Sequence, residues 1–171
     1  MEKYRIGKVY ISRTNPTHAI ESILKRIKDK GACYICVTNL RMIKYAGTDN
    51  DYQDVMHNSY MNLPDGTPLT WCGKLWGEKG IACTSGPSLF KTMLEQGNNG
   101  TKHFLLGDTQ DVLDALKDKF TKEYGTNIVG TFSPPFADVN EFDYQGISQM
   151  IKESEADIIW TAMRAPKQDY F

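Results

Sequence analysis

The chain has 171 residues, of which 40% are apolar and 24% are charged, and this size and composition suit one globular domain, residues 1–171, with a sizeable core. Twenty lysines and arginines nearly balance 21 aspartates and glutamates, so the formal net charge is -1 and no overall basic field favours a nucleic-acid partner. No run of residues is apolar enough for a membrane span or a signal peptide. We therefore expect a cytoplasmic protein that binds no nucleic acid.

The first predicted elements are a strand around Arg5–Ile11 and a capped helix. Asn15-Pro16 supplies a helix cap and a first-turn proline, apolar residues follow at helical spacing, and Gly31 is expected to close the helix. The apolar run Cys33–Thr38 then predicts a buried strand. Asn39 directly follows this strand and stands at the start of the next helical segment.

The sequence of strand, polar turn and helix recurs along the rest of the chain. Further strands are predicted at Tyr60–Leu63, Ile81–Cys83, His103–Leu106, Asn127–Thr131 and Asp157–Thr161. Helices are predicted from Leu69 to Trp76, from Leu89 to Leu94, from Val112 to Phe120 and from about Glu141. This alternation favours an α/β domain with a mainly parallel sheet and helices on both faces.

Polar and glycine-rich segments follow several of the predicted strands. Open parallel sheets bind ligands in the crevice at the carboxyl ends of their strands. The segments at those ends are Asn39, Asp65, Thr84–Ser88, Gly107-Asp108 and Gln168. We expect these residues to lie close together around one site.

Asp65 lies in the short segment L-P-D-G-T-P-L, between two apolar stretches. Proline, aspartate and glycine are common turn formers, so Asp65 has a plain interpretation as a turn residue. The alternative is a general base, because a carboxylate at the mouth of an apolar crevice can have its pKa raised toward the working pH.

Thr84–Ser88 joins a predicted strand to a helix, and its backbone N–H groups favour an anion such as a diphosphate. A simple N-capped connection is the alternative, since neither a P-loop nor a G-x-G-x-x-G pattern is present. Asp108 would repel a phosphate, but it can accept a hydrogen bond from a sugar hydroxyl.

The remaining polar motifs have structural interpretations. The D-N-D at residues 49–51 resembles a metal-binding D-x-D, although capping of the following helix explains it better. The three histidines have no paired spacing, so the sequence predicts no metal site. The four cysteines are interpreted as ordinary buried thiols: Cys33, Cys36, Cys72 and Cys83.

Five motifs follow one another in a fixed order. They are Asn39 after a strand, L-P-D-G at 63–66, F-L-L-G at 104–107, G-T-F-S-P-P-F at 130–136, and A-D-I-I at 156–159 followed by A-P-K-Q-D at 165–169. Over about Tyr4 to Phe171, the chain with these motifs resembles the WecG/TagA/CpsF family. These bacterial glycosyltransferases build teichoic acid, enterobacterial common antigen, capsules and exopolysaccharides.

The resemblance implies a Rossmann-like, three-layer α/β/α domain. It implies transfer of a sugar, with inversion, from a UDP-sugar to a saccharide on a polyprenyl diphosphate, the donor sugar being N-acetylmannosamine-like, a uronic acid or a hexose. No metal or other cofactor is implied, and the UDP-sugar is a co-substrate. In this family the aspartate of the D-G motif is the proposed catalytic base, which here is Asp65.

The resemblance also places Asn39 and Gln168 near the donor sugar or nucleotide. Two departures concern the same region: Val37 replaces the threonine of a family T-x-N motif, with Thr38 next to it, and residues 83–88 lack the family's Arg and Asp. Arg164 stands in place of a glycine and can supply a positive charge. The full expected substrate-binding set is Thr38, Asn39, Gly66, Ser85, Gly86, Gly107, Asp108, Arg164, Lys167 and Gln168.

Family members continue beyond the P-K-Q motif with a basic and aromatic appendage that contacts the membrane. From the resemblance we expect a protein peripheral to the inner face of the bacterial membrane, with weakened transfer in a chain that stops at Phe171 and possible homo-oligomers. Two alternatives stay open. One is a catalytically incomplete domain that binds a nucleotide sugar or a partner protein, and the other is a nucleotide-dependent α/β enzyme of a different family.

Overall fold

The computed structural model describes residues 1–77, 79–97, 99–138 and 141–171. These ranges contain eight α-helices and seven β-strands with parallel pairing, so the predicted mixed α/β class is confirmed. The chain divides into two compact units, residues 1–89 with Tyr170, and residues 90–169 with Phe171. Among the helices of these ranges, none is both long enough and apolar enough to cross a bilayer.

The first unit combines an antiparallel hairpin, a parallel strand pair and four helices. Its elements are β1 (Lys3–Ile6), β2 (Val9–Ser12), α1 (Pro16–Lys28), β3 (Ile35–Thr38), α2 (Leu40–Thr48), α3 (Asn50–Asn58), β4 (Met61–Pro64) and α4 (Thr67–Leu75). The helix α5 (Gly86–Glu95) begins in this unit and continues into the second. Strand β1 pairs with β2, and β3 pairs in parallel with β4.

The strand predicted around Arg5–Ile11 is wrong, because this segment is the hairpin of β1 and β2. Ile6 pairs with Val9, which leaves a two-residue loop. The first loop residue, Gly7, has a φ of 59°, as a type II′ turn requires. The alternation of apolar and polar residues continues across the turn, so it resembled one long strand.

The predicted cap of α1 is confirmed, since the Asn15 side chain accepts a hydrogen bond from the His18 backbone N–H at 3.1 Å. The helix ends at Lys28, slightly before the predicted closing residue Gly31. In contrast, the strand predicted at Ile81–Cys83 is wrong. This segment makes isolated backbone bonds, from Ala82 to Thr14 and from Thr84 to Pro64, rather than a ladder.

The second unit is built on a parallel sheet with the strand order β6-β5-β7. Its elements are β5 (His103–Gly107), α6 (Gln110–Tyr124), β6 (Ile128–Phe132), α7 (Tyr144–Ser154), β7 (Ile158–Ala162) and α8 (Lys167–Tyr170). Helix α7 begins later than the predicted Glu141, because the Asp143 side chain caps it by accepting from the Gly146 N–H. Tyr170, the last residue of α8, is grouped with the first unit.

The central strand β5 is buried along its whole length. Leu105 packs in a cluster with Leu113 and Phe120 of α6, whereas Phe104 and Leu106 pack with Ile147 of α7. Successive side chains of a strand point to opposite faces, so both faces of this sheet are covered by helices. The predicted arrangement of helices on both faces therefore holds for the second unit.

Candidate active site

Asp65 directly follows β4, at the carboxyl end of the β3–β4 pair. Its backbone N–H donates to the Thr38 carbonyl at 2.8 Å, which extends the parallel pairing of the two strands by one step. The carbonyl of Pro64 accepts a hydrogen bond from the Thr84 N–H, also at 2.8 Å. The peptide group between Pro64 and Asp65 is therefore held by a neighbouring segment on each side.

Gly66 has backbone angles that few other residues adopt. Its φ is 94° and its ψ is 150°, a region almost restricted to glycine. Its N–H donates to the Cys83 Sγ at 3.2 Å, and α4 begins at the next residue. The D-G pair thus forms a turn whose second position requires glycine, and the conformation of Gly66 sets the direction of the chain directly after Asp65.

Asn39 connects the cap of α2 to the Asp65 carboxylate. Its Oδ1 accepts hydrogen bonds from the backbone N–H groups of Arg41 at 3.0 Å and Met42 at 3.3 Å. Its side chain is also hydrogen bonded to Asp65. Since Oδ1 already serves as the cap acceptor, the Nδ2 group is the donor to the carboxylate.

Two opposing effects act on the ionisation of Asp65. Partial burial raises the pKa of this carboxyl, and the hydrogen bond from Asn39 lowers it in part, so that the pKa lies above its usual value of 3.8. Desolvation makes the charged carboxylate more basic, while Asn39 holds its orientation. The arrangement can therefore accept a proton from a hydroxyl group placed at the mouth of the turn.

Thr38 supports this turn from inside the fold. Its buried Oγ1 donates to the Oδ1 of Asn62 at 3.4 Å, and the Asn62 Nδ2 in turn donates to the carbonyls of Tyr10 and Met56. Sequence reasoning missed Asn62. The available signal was a polar residue inside the short, otherwise apolar strand β4, where a buried amide needs partners.

Ser85 and Gly86 stand at the start of α5. The Ser85 carbonyl accepts from the Leu89 N–H at 2.9 Å, and its hydroxyl accepts from the Ser88 N–H at 3.4 Å, as in an N-capped helix. A Cβ on Gly86 would lie 3.7 Å from the Val37 side chain, so this helix start lies beside β3. Capping is thus observed, and the anion site stays a prediction.

The second unit brings together Gly107, Asp108 and Arg164 at the carboxyl ends of its neighbouring strands β5 and β7. Gly107 has a φ of 118°, and a Cβ there would fall 2.6 Å from the Ala162 carbonyl oxygen. The Asp108 carboxylate accepts from the Thr109 N–H at 2.8 Å. Asp108 and Arg164 both adopt positive φ values, of 53° and 62°.

Lys167 and Gln168 belong to the short helix α8. The Lys167 ammonium donates to the Ala137 carbonyl and lies 4.7 Å from the centre of the Phe142 ring. Its charge is therefore already engaged by an acceptor and an aromatic face. The Gln168 N–H donates to the Arg164 carbonyl at 3.2 Å, and the residue is half-buried.

The expected site residues thus form two groups, one in each unit. The first contains Thr38, Asn39, Asp65, Gly66, Ser85 and Gly86, and the second contains Gly107, Asp108, Arg164, Lys167 and Gln168. Cys83 was not expected in the first group. Its position inside a family motif that lacks the usual arginine was the signal that could have identified it.

The D-N-D segment acts as a helix cap, since the Asp49 side chain accepts from the Tyr52 N–H at 3.0 Å. Within the described ranges, no group of three or more His, Cys, Asp or Glu side chains is arranged to hold a metal. Each of the four cysteines carries a thiol that is not part of a disulfide. Cys36 is buried, but Cys33 and Cys83 are exposed, so the prediction of buried thiols was wrong for these two.

Comparisons with known proteins support the resemblance described above. One relative is the N-acetylglucosaminyldiphosphoundecaprenol N-acetyl-beta-D-mannosaminyltransferase of Bacillus subtilis (strain 168), which is 25% identical over 173 residues. The match covers 100% of this chain and 66% of that protein, so the chain spans slightly less than two thirds of the relative's length. The model of the glycosyl transferase WecG/TagA/CpsF family matches residues 4–171, and the chain belongs to this family.

Proposed function

We propose that this chain is the core of an inverting glycosyltransferase that transfers a sugar from a UDP-sugar to a lipid-linked saccharide. Family membership supports the reaction class. The name of the Bacillus relative supports an acceptor built on N-acetylglucosamine diphosphate and undecaprenol, with an N-acetylmannosamine-type donor. Such an acceptor places the enzyme at the membrane surface, as a peripheral protein of bacterial cell-surface polysaccharide synthesis.

The observation that carries this proposal is the environment of Asp65. Its carboxylate combines partial burial, a raised pKa and a hydrogen bond from Asn39 at the carboxyl end of a parallel strand pair. In an inverting displacement, the acceptor hydroxyl attacks the anomeric carbon while its proton passes to a base, and UDP leaves with the bonding electron pair. A carboxylate held at the acceptor hydroxyl performs this proton transfer.

The proposed binding of the UDP-sugar donor is supported less directly than the role of Asp65. The departing UDP gains negative charge, and each unit has groups of its own that would stabilise an anion: the N–H groups at the start of α5 in the first unit, and the exposed Arg164 guanidinium in the second. Gly107 allows β5 to approach the backbone of β7 closely, and in the same unit Asp108 and Gln168 offer hydrogen-bonding groups for sugar or ribose hydroxyls. We propose that the reaction needs no metal and no cofactor.

One observation favours a second candidate function, a domain that binds nucleotide sugars without transferring them. Residues 83–88 hold cysteine and serine where the family has arginine and aspartate, so a positive charge is missing near the start of α5. A domain of this kind would bind UDP but show no transfer that depends on Asp65.

The decisive experiment measures transfer of labelled N-acetylmannosamine from its UDP donor to N-acetylglucosaminyl diphosphoundecaprenol. Asp65→Asn keeps the shape and an acceptor oxygen for Asn39 but removes the base, so we expect a loss of about 10² to 10⁴-fold in the rate. Asp51→Asn makes the same change in the first turn of α3 and serves as the control. Equal rates for both variants and the original chain would contradict the role of Asp65.

Calorimetry with UDP, with and without magnesium, separates binding from chemistry. The transferase proposal predicts UDP binding that is independent of the metal and survives Asp65→Asn. Binding without any Asp65-dependent transfer would instead support the second candidate function.

A further inference from the structure

Helix α4 has apolar side chains on both of its faces. Leu69, Thr70 and Gly73 are buried against the first unit. On the outer side Trp71 is 63% exposed and Leu75 is 84% exposed, and Trp76, the residue that caps the helix, is 60% exposed. An outward helix face in a soluble protein is normally polar, so an apolar one indicates a surface that is covered by something else. We call Trp71, Lys74, Leu75 and Trp76 the α4 patch.

We propose that the α4 patch binds the surface of an anionic lipid bilayer. The proposal deepens the proposed function, on which it rests for the orientation of the acceptor, because it assigns a membrane-contacting surface to the chain's own first unit. Helix α4 begins two residues after Asp65. With a rise of about 1.5 Å per residue, Trp71 lies about 6 Å and Leu75 about 12 Å along the helix from its first residue.

The composition of the patch favours a bilayer over a second protein chain. Lys74 lines the same shallow depression, of about 430 Å³, as Trp71 and Leu75. In the centre of a protein interface this ammonium would be desolvated, and lysine is depleted there. At a bilayer surface, its flexible stem lies along the apolar side chains while the charge reaches the lipid phosphates.

The charges of α4 agree with this occupant. The helix T-P-L-T-W-C-G-K-L contains no acidic residue, and Lys74 is its only charged side chain. Tryptophan is enriched where a membrane meets water, because its ring is apolar and its N–H is polar. Two tryptophans, one leucine and one lysine give weak and reversible binding that depends on anionic lipid.

The test is co-sedimentation of the chain with vesicles of phosphatidylglycerol and phosphatidylcholine, together with tryptophan fluorescence. Two of the chain's three tryptophans lie in the patch, so binding should shift the emission to shorter wavelength. The triple variant Trp71→Gln/Leu75→Gln/Trp76→Gln should lower the partition coefficient at least about ten-fold. Lys74→Glu, which leaves the apolar residues in place, should lower it about five-fold or more, and less so at high salt.

Matched controls lie on α6. Val112→Gln removes an exposed apolar side chain, and Lys119→Glu makes the same charge reversal as Lys74→Glu. Both should bind vesicles within about two-fold of the original chain. Equal binding by patch and control variants would overturn the proposal. So would sedimentation velocity showing that the patch instead joins two copies of the chain, with no binding to vesicles.

The Asp65→Asn variant separates this inference from the proposed function. It should bind vesicles normally and lose transfer. Vesicle binding that depends on the α4 patch, without any transfer by the original chain, would contradict the proposed transferase activity but not the proposed membrane-binding surface. Transfer that depends on Asp65, with binding indifferent to the patch, would refute only the membrane surface.

Discussion

At the scale of one residue, Asp65 is a candidate active-site group that lowers the stability of the folded chain. Its pKa is raised above 3.8, mainly by burial, so the folded chain holds the charged carboxylate less favourably than the unfolded chain does. The stability that comes from this shift is present at low pH, where the carboxyl is protonated, and is lost as the pH rises through the folded pKa.

We therefore predict that Asp65→Asn makes the protein more stable at pH 7.5 while it lowers the transfer rate about 10² to 10⁴-fold. The amide carries no charge, and its oxygen can still accept from the Asn39 side chain. The carboxylate is only partly buried, so the gain is below about 1 kcal/mol, and it should shrink as the pH falls toward 4. Urea unfolding at both pH values measures this. A less stable variant at pH 7.5 would show that the Asn39 hydrogen bond outweighs desolvation.

Gly66 yields a second prediction, in which backbone strain is the only expected cost. An added Cβ would meet nothing closer than Pro68 Cδ at 3.7 Å, but the φ of 94° is unfavourable for alanine. Gly66→Ala should lower the free energy of unfolding by about 1 to 3 kcal/mol. Gly47→Ala is the matched control, because Gly47 is exposed in α2 with open space around it. That control should gain about 0.4 to 1 kcal/mol.

At the scale of elements, the strand pair β5–β7 depends on close approach of two backbones. An alanine at Gly107 would combine a φ of 118° with a Cβ only 2.6 Å from the Ala162 carbonyl oxygen. We predict that Gly107→Ala lowers the free energy of unfolding by about 3 kcal/mol. Gly125→Ala, at the end of α6, has a φ of 68° but open space, and should cost about 1 kcal/mol. Equal losses in chemical denaturation would exclude a backbone clash at Gly107.

The elements that could be predicted from sequence are those whose local chemistry is unambiguous. The apolar run of β5 and the Asn15-Pro16 start of α1 were located almost to the residue. Ile81–Cys83 was not, because an extended apolar triplet looks like a strand whether or not it has ladder partners. Turn chemistry likewise located Asp65, whereas its tertiary partners could not be seen in one sequence.

At the scale of the whole molecule, nearly balanced charges leave the pH dependence of stability to a few perturbed groups. His103 is the clearest, since it is fully buried at the start of β5. Its Nδ1 accepts from the Trp160 indole N–H at 3.1 Å, so the proton of the neutral ring lies on Nε2. Among the described residues Nε2 has no hydrogen-bond partner. Burial lowers the pKa of His103 to about 4, although Asp157 acts in the opposite direction.

The consequence is acid sensitivity over a defined range. Above about pH 6.5 the His103 ring is neutral in the folded and in the unfolded chain, so its contribution to the free energy of unfolding is at its maximum. Between pH 6.5 and 4 only the unfolded chain takes up the proton, and the free energy of unfolding falls. We predict a loss of about 2 to 3 kcal/mol across this range.

His103→Asn keeps an acceptor for Trp160 but cannot titrate, so its unfolding free energy should vary less with pH, although it starts lower. His18→Asn, the same substitution at an exposed histidine of α1, is the matched control. Urea unfolding from pH 7.5 to 4 would contradict the assignment if His103→Asn kept the original slope.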